Sequence, residues 1–265
     1  MLIPLAIHPL LRQLVLTDVH AASAQLSGKA MPELIQATAL YTLYDGSLGT
    51  TPDQQDYFTY QAIALFATQT ITTGGTILNT LPFTDDYAGY VKSNQTPILD
   101  RTSGYTINFT TQVFSESHSN DTNSDGIDDR AGFSVTVLSS DSEGIELGFW
   151  TNQIWAQEDD TNDPNDLLTH AEGVTFTTTS LTSYSLAILS NTYTLSANGS
   201  PILSGSLRNY SAFIPPSGLP NPYTSTNFIF LGDNSSSARA RIKLAAVSIS
   251  TTVTTNYLPV ILKNS

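Results

Sequence analysis

The stretch from residue 105 to residue 155 constrains the fold most, because apolar and polar residues alternate along it with a period of two. Alternate positions are mostly apolar or aromatic in three runs, at residues 105–113, 133–137 and 145–149. Successive side chains of a strand leave opposite faces, so such runs are typical of half-buried strands. The stretch predicts three sequential antiparallel strands in one sheet. We therefore expect the loops after the first and third strands to emerge at the same end of that sheet.

Similar runs recur along the chain. They lie at residues 57–60, 62–67, 75–81, 174–178, 184–189, 192–197, 201–204, 227–233 and 240–249. Turn residues separate them, and Asn198 with Gly199 supplies the positive φ angles of a tight hairpin. About a dozen short strands predict an all-β protein, a two-sheet antiparallel β-sandwich. The predicted exceptions are a short helix at residues 32–37 that begins at Pro32 and a long loop at residues 83–100.

We predict one domain with a short segment at each end. The sandwich spans residues 26–250. Residues 1–25 combine an apolar run with a signal-peptidase-like Ala-Ser-Ala, but Arg12 and two prolines interrupt the segment, so it is either a degenerate export signal or an N-terminal extension. Residues 251–265 form a tail that could add an edge strand, within this molecule or to a neighbour, which makes self-association through the terminal segments one predicted contact. Neither terminal segment is long enough to span a bilayer.

The charge balance argues against one class of partner. The chain carries 10 Lys and Arg against 23 Asp and Glu, a formal net charge of −13. Nucleic-acid affinity rests largely on Lys and Arg that neutralise phosphates, so we predict no nucleic-acid partner.

Charged residues make up 12 % of the chain and cysteine is absent. A surface rich in Thr, Ser and Asn favours a secreted or cell-surface location, with stability from packing and a bound cation rather than from disulfides.

Three features in order resemble a known superfamily. They are a hairpin at residues 186–199, the run Phe228-Ile-Phe-Leu-Gly232 and a closing strand at residues 244–249. The resemblance is to the laminin-G-like branch of the concanavalin A-like lectin/glucanase superfamily, and the same region is similar to sandwich domains of bacterial surface proteins with interchangeable C-terminal anchors. It implies a jelly roll and a lectin-like, carbohydrate-binding role. A shared fold speaks for architecture more than for activity.

One loop has the spacing of a calcium site. The candidate ligands are the side chains of Asp121, Asn123, Asp125 and Asp129 and the carbonyl of Ile127. Such oxygen sets suit a hard cation, and the spacing resembles thrombospondin type 3 and dockerin loops. The loop departs from an EF-hand because its twelfth position is Gly132 instead of Glu. The alternative is a solvated turn of the kind that Asp, Asn and Gly form without a metal.

A second acidic loop follows at residues 157–172. If it meets the first loop at one end of the sheet, Glu158, Asp159 and Asp160 become candidate further metal ligands. So many like charges at one end repel each other unless a cation offsets them. We therefore predict calcium as a cofactor.

Glu146, Trp150 and Trp155 are the candidate ligand-binding residues. Sugars are commonly held by stacking on aromatic faces, with amides and carboxylates supplying hydrogen bonds. Strand alternation places Trp150 on the Glu146 face. Trp155 lies an odd number of residues further and would face the other way unless a bulge intervenes, so at least one tryptophan is expected in the core.

No catalytic motif connects the reactive residues. Retaining glycosidases need two carboxylates about 5 Å apart, and no second carboxylate shares the Glu146 face within its strand. His118, His170 and Arg130 would suit a lyase, but nothing in their spacing ties them together.

The leading prediction is an extracellular, calcium-stabilised, lectin-like module that binds glycans or surface proteins without catalysis. The alternatives are a polysaccharide-cleaving enzyme on the same fold and a structural subunit of a surface polymer.

Overall fold

The computed structural model describes residues 34–63, 66–83, 86–161, 163, 165–219 and 221–256. The predicted segment at residues 1–25 and the last part of the predicted tail lie outside these ranges. Within them, the chain forms 15 strands and three short 3-10 helices, at Gly46–Leu48, Pro52–Gln54 and Pro222–Thr224. None of the helices found in these ranges has the length and apolar character needed to cross a bilayer.

The strands form two antiparallel sheets that share one core. The first sheet contains β1 (Leu34–Asp45), β3 (Thr68–Thr72), β4 (Gly75–Asn79), β6 (Tyr105–His118), β11 (Thr182–Leu189), β12 (Thr192–Ala197), β13 (Ser200–Ser206) and β15 (Ala238–Asn256). The second sheet contains β2 (Phe58–Ile63), β5 (Tyr87–Lys92), β7 (Ser134–Leu138), β8 (Gly144–Phe149), β9 (Gln153–Gln157), β10 (His170–Thr175) and β14 (Phe228–Asp233). The prediction of an all-β, two-sheet antiparallel sandwich is confirmed.

The last two strands lie inside the sheets. In the first sheet the order is β13-β12-β11-β6-β15-β4-β3, and β1 pairs with β15 beside β4. In the second sheet the order is β10-β9-β8-β7-β14-β5-β2. Consecutive strands are neighbours on one side of each sheet, and β15 and β14 join them to the early strands on the other side.

The core lies between the sheets and follows from the alternation. Val135 and Leu147 of the second sheet and Ile107 of the first are fully buried. Phe109 of β6 meets Phe149 of β8 edge to face, with 6.0 Å between ring centroids. Complete burial of one such side chain contributes about 1.5–3 kcal/mol. The apolar residues of the three runs between residues 105 and 149 are therefore buried, as their period of two predicts.

The predicted helix at residues 32–37 is wrong for the residues described. Residues 34–42 belong to β1 and pair in unbroken antiparallel register with residues 248–256 of β15. A ladder of backbone hydrogen bonds along a long neighbour outweighs the weak helix propensity of a short segment. Residues 251–256 thus extend β15 and pair with β1.

The predicted loop at residues 83–100 contains a strand. Strand β5 lies between β14 and β2 in the second sheet. Gly89 interrupts the apolar alternation and conceals the strand in the sequence. The structure gives a reason for the glycine, because a Cβ atom there would lie 2.5 Å from the ring of Phe230.

The predicted run of three neighbouring strands is also wrong, because β6 belongs to the first sheet and β7 to the second. The antiparallel run in the second sheet is β7, β8 and β9. The loops that follow β6 and β9 approach each other all the same, since Gln157 Nε2 at the end of β9 donates to the Asp129 carbonyl at 3.2 Å. The two sheets are stacked, so loops from different sheets can meet at one end of the sandwich.

Candidate functional site

Polar and aromatic side chains gather on the outer face of the second sheet. Val135, Ile145 and Leu231 point into the core, so the residues that alternate with them point outward. The outward residues include Gln61, Gly89, Ser134, Thr136, Glu146, Gly148, Trp155 and Phe230. Residues 207–219 and 221–227, which lie between β13 and β14 and which we call the cover segment, cross this face. They lie over β8 and β9 and leave a pocket over β14, β5 and β2.

Two buried tyrosines fasten the cover segment. The Tyr210 hydroxyl donates to the Gln157 carbonyl at 2.8 Å and accepts from the Glu146 amide at 3.2 Å. The Tyr223 hydroxyl donates to Glu146 Oε2 at 2.6 Å. Burial is the main cause that raises the pKa of both hydroxyls. Both therefore remain protonated donors at neutral pH, in a region shielded from solvent where hydrogen bonds are strong.

Glu146 is the centre of a buried polar network. Its carboxylate accepts hydrogen bonds from four side chains: Thr136 Oγ1 at 3.0 Å, Tyr223 Oη at 2.6 Å, Asn234 Nδ2 at 3.1 Å and Arg130 Nη2 at 3.1 Å. The residue is 0 % exposed. A buried ion pair of this kind is held by its hydrogen bonds, and removing one partner leaves an uncompensated charge. The structure thus places the predicted ligand-binding Glu146 in the supporting framework beneath the cover segment.

Trp150 and Trp155 lie in a stack of four aromatic rings. Their centroids are 4.5 Å apart, His118 stacks on Trp150 at 3.9 Å and His170 stacks on Trp155 at 4.0 Å. Trp150 is 7 % exposed and Trp155 0 %. The Trp155 ring covers Gly148, where a Cβ atom would lie 2.5 Å from it. Histidine rings and neighbouring loops therefore occupy the indole faces that a sugar would need.

The first acidic loop lies beside this stack. His118 pairs with Asp128 through Nδ1 at 2.8 Å. The candidate calcium ligands Asp121, Asn123, Asp125 and Ile127 form turns at the surface, while Asp129 is 1 % exposed. In the described ranges, no three His, Cys, Asp or Glu side chains converge as in a preformed metal centre.

The second acidic loop turns toward the cover segment. Glu158 forms an ion pair with Arg208 at 3.2 Å, and Asp159 accepts the Asn209 amide at 3.2 Å. Asp160 is half-buried. Glu158 therefore pairs with Arg208, and Asp159 holds the backbone of Asn209. The sequence predicts both residues as candidate metal ligands.

The open part of the outer face forms a pocket of about 390 Å³. Its floor is the sheet, including Phe230, Val91 and Gly89, and its wall is the cover segment. The pocket lining includes Gln61, Phe213, Pro216, Leu219, Asn221 and Asn234. Apolar walls with a few amide groups at the rim are typical of small-ligand sites.

Phe230 forms an aromatic platform in this pocket. A Cβ atom at Gly89 would lie 2.5 Å from its ring, and one at Gly232 would lie 2.9 Å from it. The ring therefore lies over bare backbone at two neighbouring strands, and any larger residue at either position would displace it. Phe230 is half-buried, which leaves part of the ring facing the pocket.

Sequence reasoning missed this pocket. The alternation of Phe228, Ile229 and Phe230 places both phenylalanines on one face and Ile229 on the other, which is a readable signal for an outward aromatic pair. Gly89 and Gln61 give no signal, because the sequence pattern conceals β5 and does not reveal which strand lies beside β2. The wall comes from the cover segment, whose path over the sheet only the tertiary structure gives.

The comparisons with known proteins bear on the fold. No family model and no curated protein matches the sequence. The carbohydrate esterase of the Shiga toxin-encoding bacteriophage phi24B is similar in structure over 80 % of this chain and 99 % of its own, with a TM-score of 0.51 and 11 % identity. The metal-free carbohydrate recognition domain of Emp46p aligns with 79 % of this chain and 95 % of its own, with a TM-score of 0.45 and 10 % identity.

The apo form of the Crh5 transglycosylase aligns with 80 % of this chain and 84 % of its own, with a TM-score of 0.47 and 11 % identity. The all-β sandwich is consistent with a concanavalin A-like fold. At such identities a likeness is one of architecture, and activity has to be argued from the site.

Proposed function

We propose that this protein binds a saccharide in the pocket on the outer face of the second sheet and does not cleave it. The observation that carries the proposal is the Phe230 ring, which lies over Gly89 and Gly232 and faces the pocket. Sugar rings present apolar C–H faces that stack on such platforms, while neighbouring amides bind their hydroxyls. The pocket volume of about 390 Å³ falls within the range of small-ligand sites.

The polar groups around the platform suit a hydroxylated ligand. Gln61 is exposed at one side of the pocket, and Thr226 is exposed at another. Asn221 is held by a hydrogen bond from its Nδ2 to the Phe213 carbonyl at 2.7 Å, so its position in the wall is fixed before a ligand arrives. Pre-organised walls lower the entropic cost of binding.

The state of Glu146 supports binding without cleavage. Asp233, the carboxylate among the residues that line the pocket, is buried and accepts hydrogen bonds from Thr80 Oγ1 at 2.7 Å and from the Ser235 amide at 3.1 Å. Glu146 lies beneath the cover segment, and its oxygens already accept hydrogen bonds from four side chains. Gly144 and Gly148 occupy the adjacent outward positions of its strand. Glycoside hydrolysis by the usual mechanisms needs two available carboxylates flanking one bond. We assign Glu146 to holding Tyr223 and Asn234, which both line the pocket, in place.

The setting that we propose is secreted or cell-surface, with extracellular glycans as the ligand class. The formal net charge of −13 repels polyanions at long range. Neutral or weakly charged glycans are therefore the expected partners, as in the lectin-like interpretation of the sequence.

A glycan array followed by calorimetry on the best ligand tests the proposal. Phe230→Leu keeps an apolar side chain but removes the ring face, and we expect it to weaken binding about tenfold or more, which is about 1.4 kcal/mol. The matched control is Phe114→Leu, an aromatic residue that is 37 % exposed on β6 of the other sheet. Binding should be unchanged in the control.

Three results would contradict the proposal. The first is a wild-type protein that binds no glycan on the array, and the second is a Phe230→Leu variant that binds as well as wild type. The third is release of reducing ends from the bound oligosaccharide in proportion to protein concentration, abolished by Glu146→Gln in a variant that still folds. This third result would favour the cleaving enzyme.

A further inference from the structure

The loop between β6 and β7 holds its carboxylates in a defined arrangement. Asp121 accepts the amides of Asp125 at 3.0 Å and Gly126 at 2.8 Å. Asp125 in turn accepts the Ile127 amide at 2.8 Å. Asx turns of this kind form without a metal, so this geometry does not by itself identify a site.

A second observation points to a ligand. Asp129 is 1 % exposed. One carboxylate oxygen, Oδ2, accepts the Thr122 amide. The other, Oδ1, is buried and has no hydrogen-bond partner among the described residues. A buried carboxylate with an unsatisfied oxygen costs several kcal/mol, which a positive partner would offset.

The surroundings of Asp129 are negative. The carboxylates of Asp121 and Asp125 lie close enough to repel the charge of Asp129. Among the ion pairs of the described residues, the adjacent Arg130 pairs with Glu146. His118 pairs with Asp128 and Glu116. Arg130 and His118 are thus paired with carboxylates other than Asp129.

We propose that this loop binds a calcium ion, with Asp129 Oδ1 as the buried ligand and with Asp121, Asn123, Asp125 and the Ile127 carbonyl as the outer ligands. All donors are oxygens, which suits a hard cation and excludes sites built for soft metals. The outer ligands lie on an exposed turn, and no preformed centre is present in the described residues. Binding therefore closes the turn onto Asp129, a flexible geometry that calcium tolerates better than magnesium.

The cation would also act on the tryptophan stack and the sheet. The Asp129 carbonyl accepts Gln157 Nε2 at 3.2 Å, and the Arg130 carbonyl accepts Trp150 Nε1 at 3.1 Å. Arg130 Nη2 also donates to Asn234 at 3.0 Å, and Asn234 lines the pocket. A cation bound to Asp129 would thus fix residues 129–130, which contact Trp150 and the pocket residue Asn234. Trp150 is fluorescent, so its emission should report cation binding.

Calcium titration of the chelator-treated full-length protein, without any saccharide, tests the proposal. Calorimetry should show saturable binding of one ion per chain, the tryptophan emission should change with the same midpoint, and the thermal midpoint should rise with calcium concentration. Magnesium should bind at least about tenfold more weakly, because it demands near-ideal octahedral geometry and gives up its waters reluctantly.

The diagnostic variant is Asp129→Asn, and the control is Asp53→Asn, an exposed residue of the 3-10 helix Pro52–Gln54. Asp129→Asn should weaken calcium binding about tenfold or more, since ligand charge sets affinity in such sites. It should also unfold no earlier than wild type in chelator, because it removes an unpaired buried charge. That second result separates a lost ligand from a misfolded protein.

The inference is overturned by absence of calcium binding at millimolar concentration, by Asp129→Asn binding as tightly as wild type, or by equal affinity for magnesium. Because no saccharide is present, its failure leaves the glycan proposal standing. A protein that binds calcium but no glycan would keep this inference and reject the other.

Discussion

The two halves of the outer face of the second sheet are built from the same pattern but end in different states. Over β8 and β9 the cover segment seals the face, and Glu146 is 0 % exposed beneath Tyr223. Over β14, β5 and β2 the face stays open, and Phe230 lines a pocket. Polar and aromatic residues on a sheet face are therefore not a binding site in themselves. Such residues can bind a ligand only where other parts of the protein do not already occupy their hydrogen-bonding groups and ring faces.

The largest effect is expected from Glu146→Ala in the sealed half. Arg130 would keep a buried charge without its partner, and Tyr223 and Thr136 would each lose an acceptor. Breaking one side of a buried ion pair costs about 3–5 kcal/mol. Urea unfolding measures the loss. The control Glu143→Ala removes the acceptor of a hydrogen bond from Asn209 at 3.0 Å and should cost about 1 kcal/mol or less. Equal losses for both variants would show that the buried network around Glu146 contributes no more stability than an exposed hydrogen bond.

A smaller loss is expected from Gly148→Ala. The new methyl group would lie 2.5 Å from the Trp155 ring, which the His170 stack prevents from moving freely. Overpacking of this kind costs about 1–3 kcal/mol. Ser134→Ala on the adjacent strand is the matched change, because the Ser134 hydroxyl is buried without a partner among the described residues, and its removal should be neutral or stabilising. If both variants unfold alike, the Trp155 stack tolerates displacement.

The sealed half should also make stability depend on pH. Burial lowers the pKa of His170 from 6.5 to about 4, against the smaller opposing effects of Asp125 and Asp128. Below pH 6.5 the unfolded chain binds a proton that the folded chain does not, so stability is lost as pH falls and the loss levels off below about pH 4. Allowing for partial solvent screening, the expected loss is about 1–2 kcal/mol.

His170→Phe keeps an aromatic ring against Trp155 and removes the titration. The difference in unfolding free energy between wild type and this variant should therefore change between pH 7 and pH 4, as measured by denaturant unfolding at each pH. A difference that stays constant over this range would mean that His170 is not held neutral by burial.

The smallest stability effect is expected in the open half. Phe230→Leu changes a half-buried ring that already faces the pocket, and we expect a loss of about 1 kcal/mol or less. Thermal unfolding beside the binding assay gives both quantities for one variant. A loss of several kcal/mol would mean that Phe230, like Glu146, mainly stabilises the fold. The open and sealed halves would then not differ in this respect.

Part of this fold is readable from the amino-acid sequence alone. The apolar positions between residues 105 and 149 are buried as their period predicts, and Asn198 and Gly199 have φ angles of 49° and 82°, as the predicted hairpin turn requires. The assignments that failed depend on distant neighbours. Residues 34–37 are strand because β15 lies beside them, and Tyr87–Lys92 is strand because β14 and β2 lie on either side of it.

The candidate site is less readable. The residue types expected for a glycan site, Glu146, Trp150 and Trp155, are present on or next to the outer face, but each is buried. The residues that we now argue for, Phe230 and Gly89, come from two strands whose pairing the chain order does not reveal. The proposed calcium ligands are the exception, because all five lie within one continuous loop at residues 121–129.

Local alternation and turn chemistry determined that this chain forms an antiparallel sandwich, because they depend on residues within one strand or one turn. Only the tertiary structure decided which polar side chains remain available to a ligand. The Tyr223 hydroxyl, which donates to the Glu146 carboxylate, lies 77 residues further along the chain. Hydrogen-bond saturation and burial depend on such distant partners, and no local pattern encodes them.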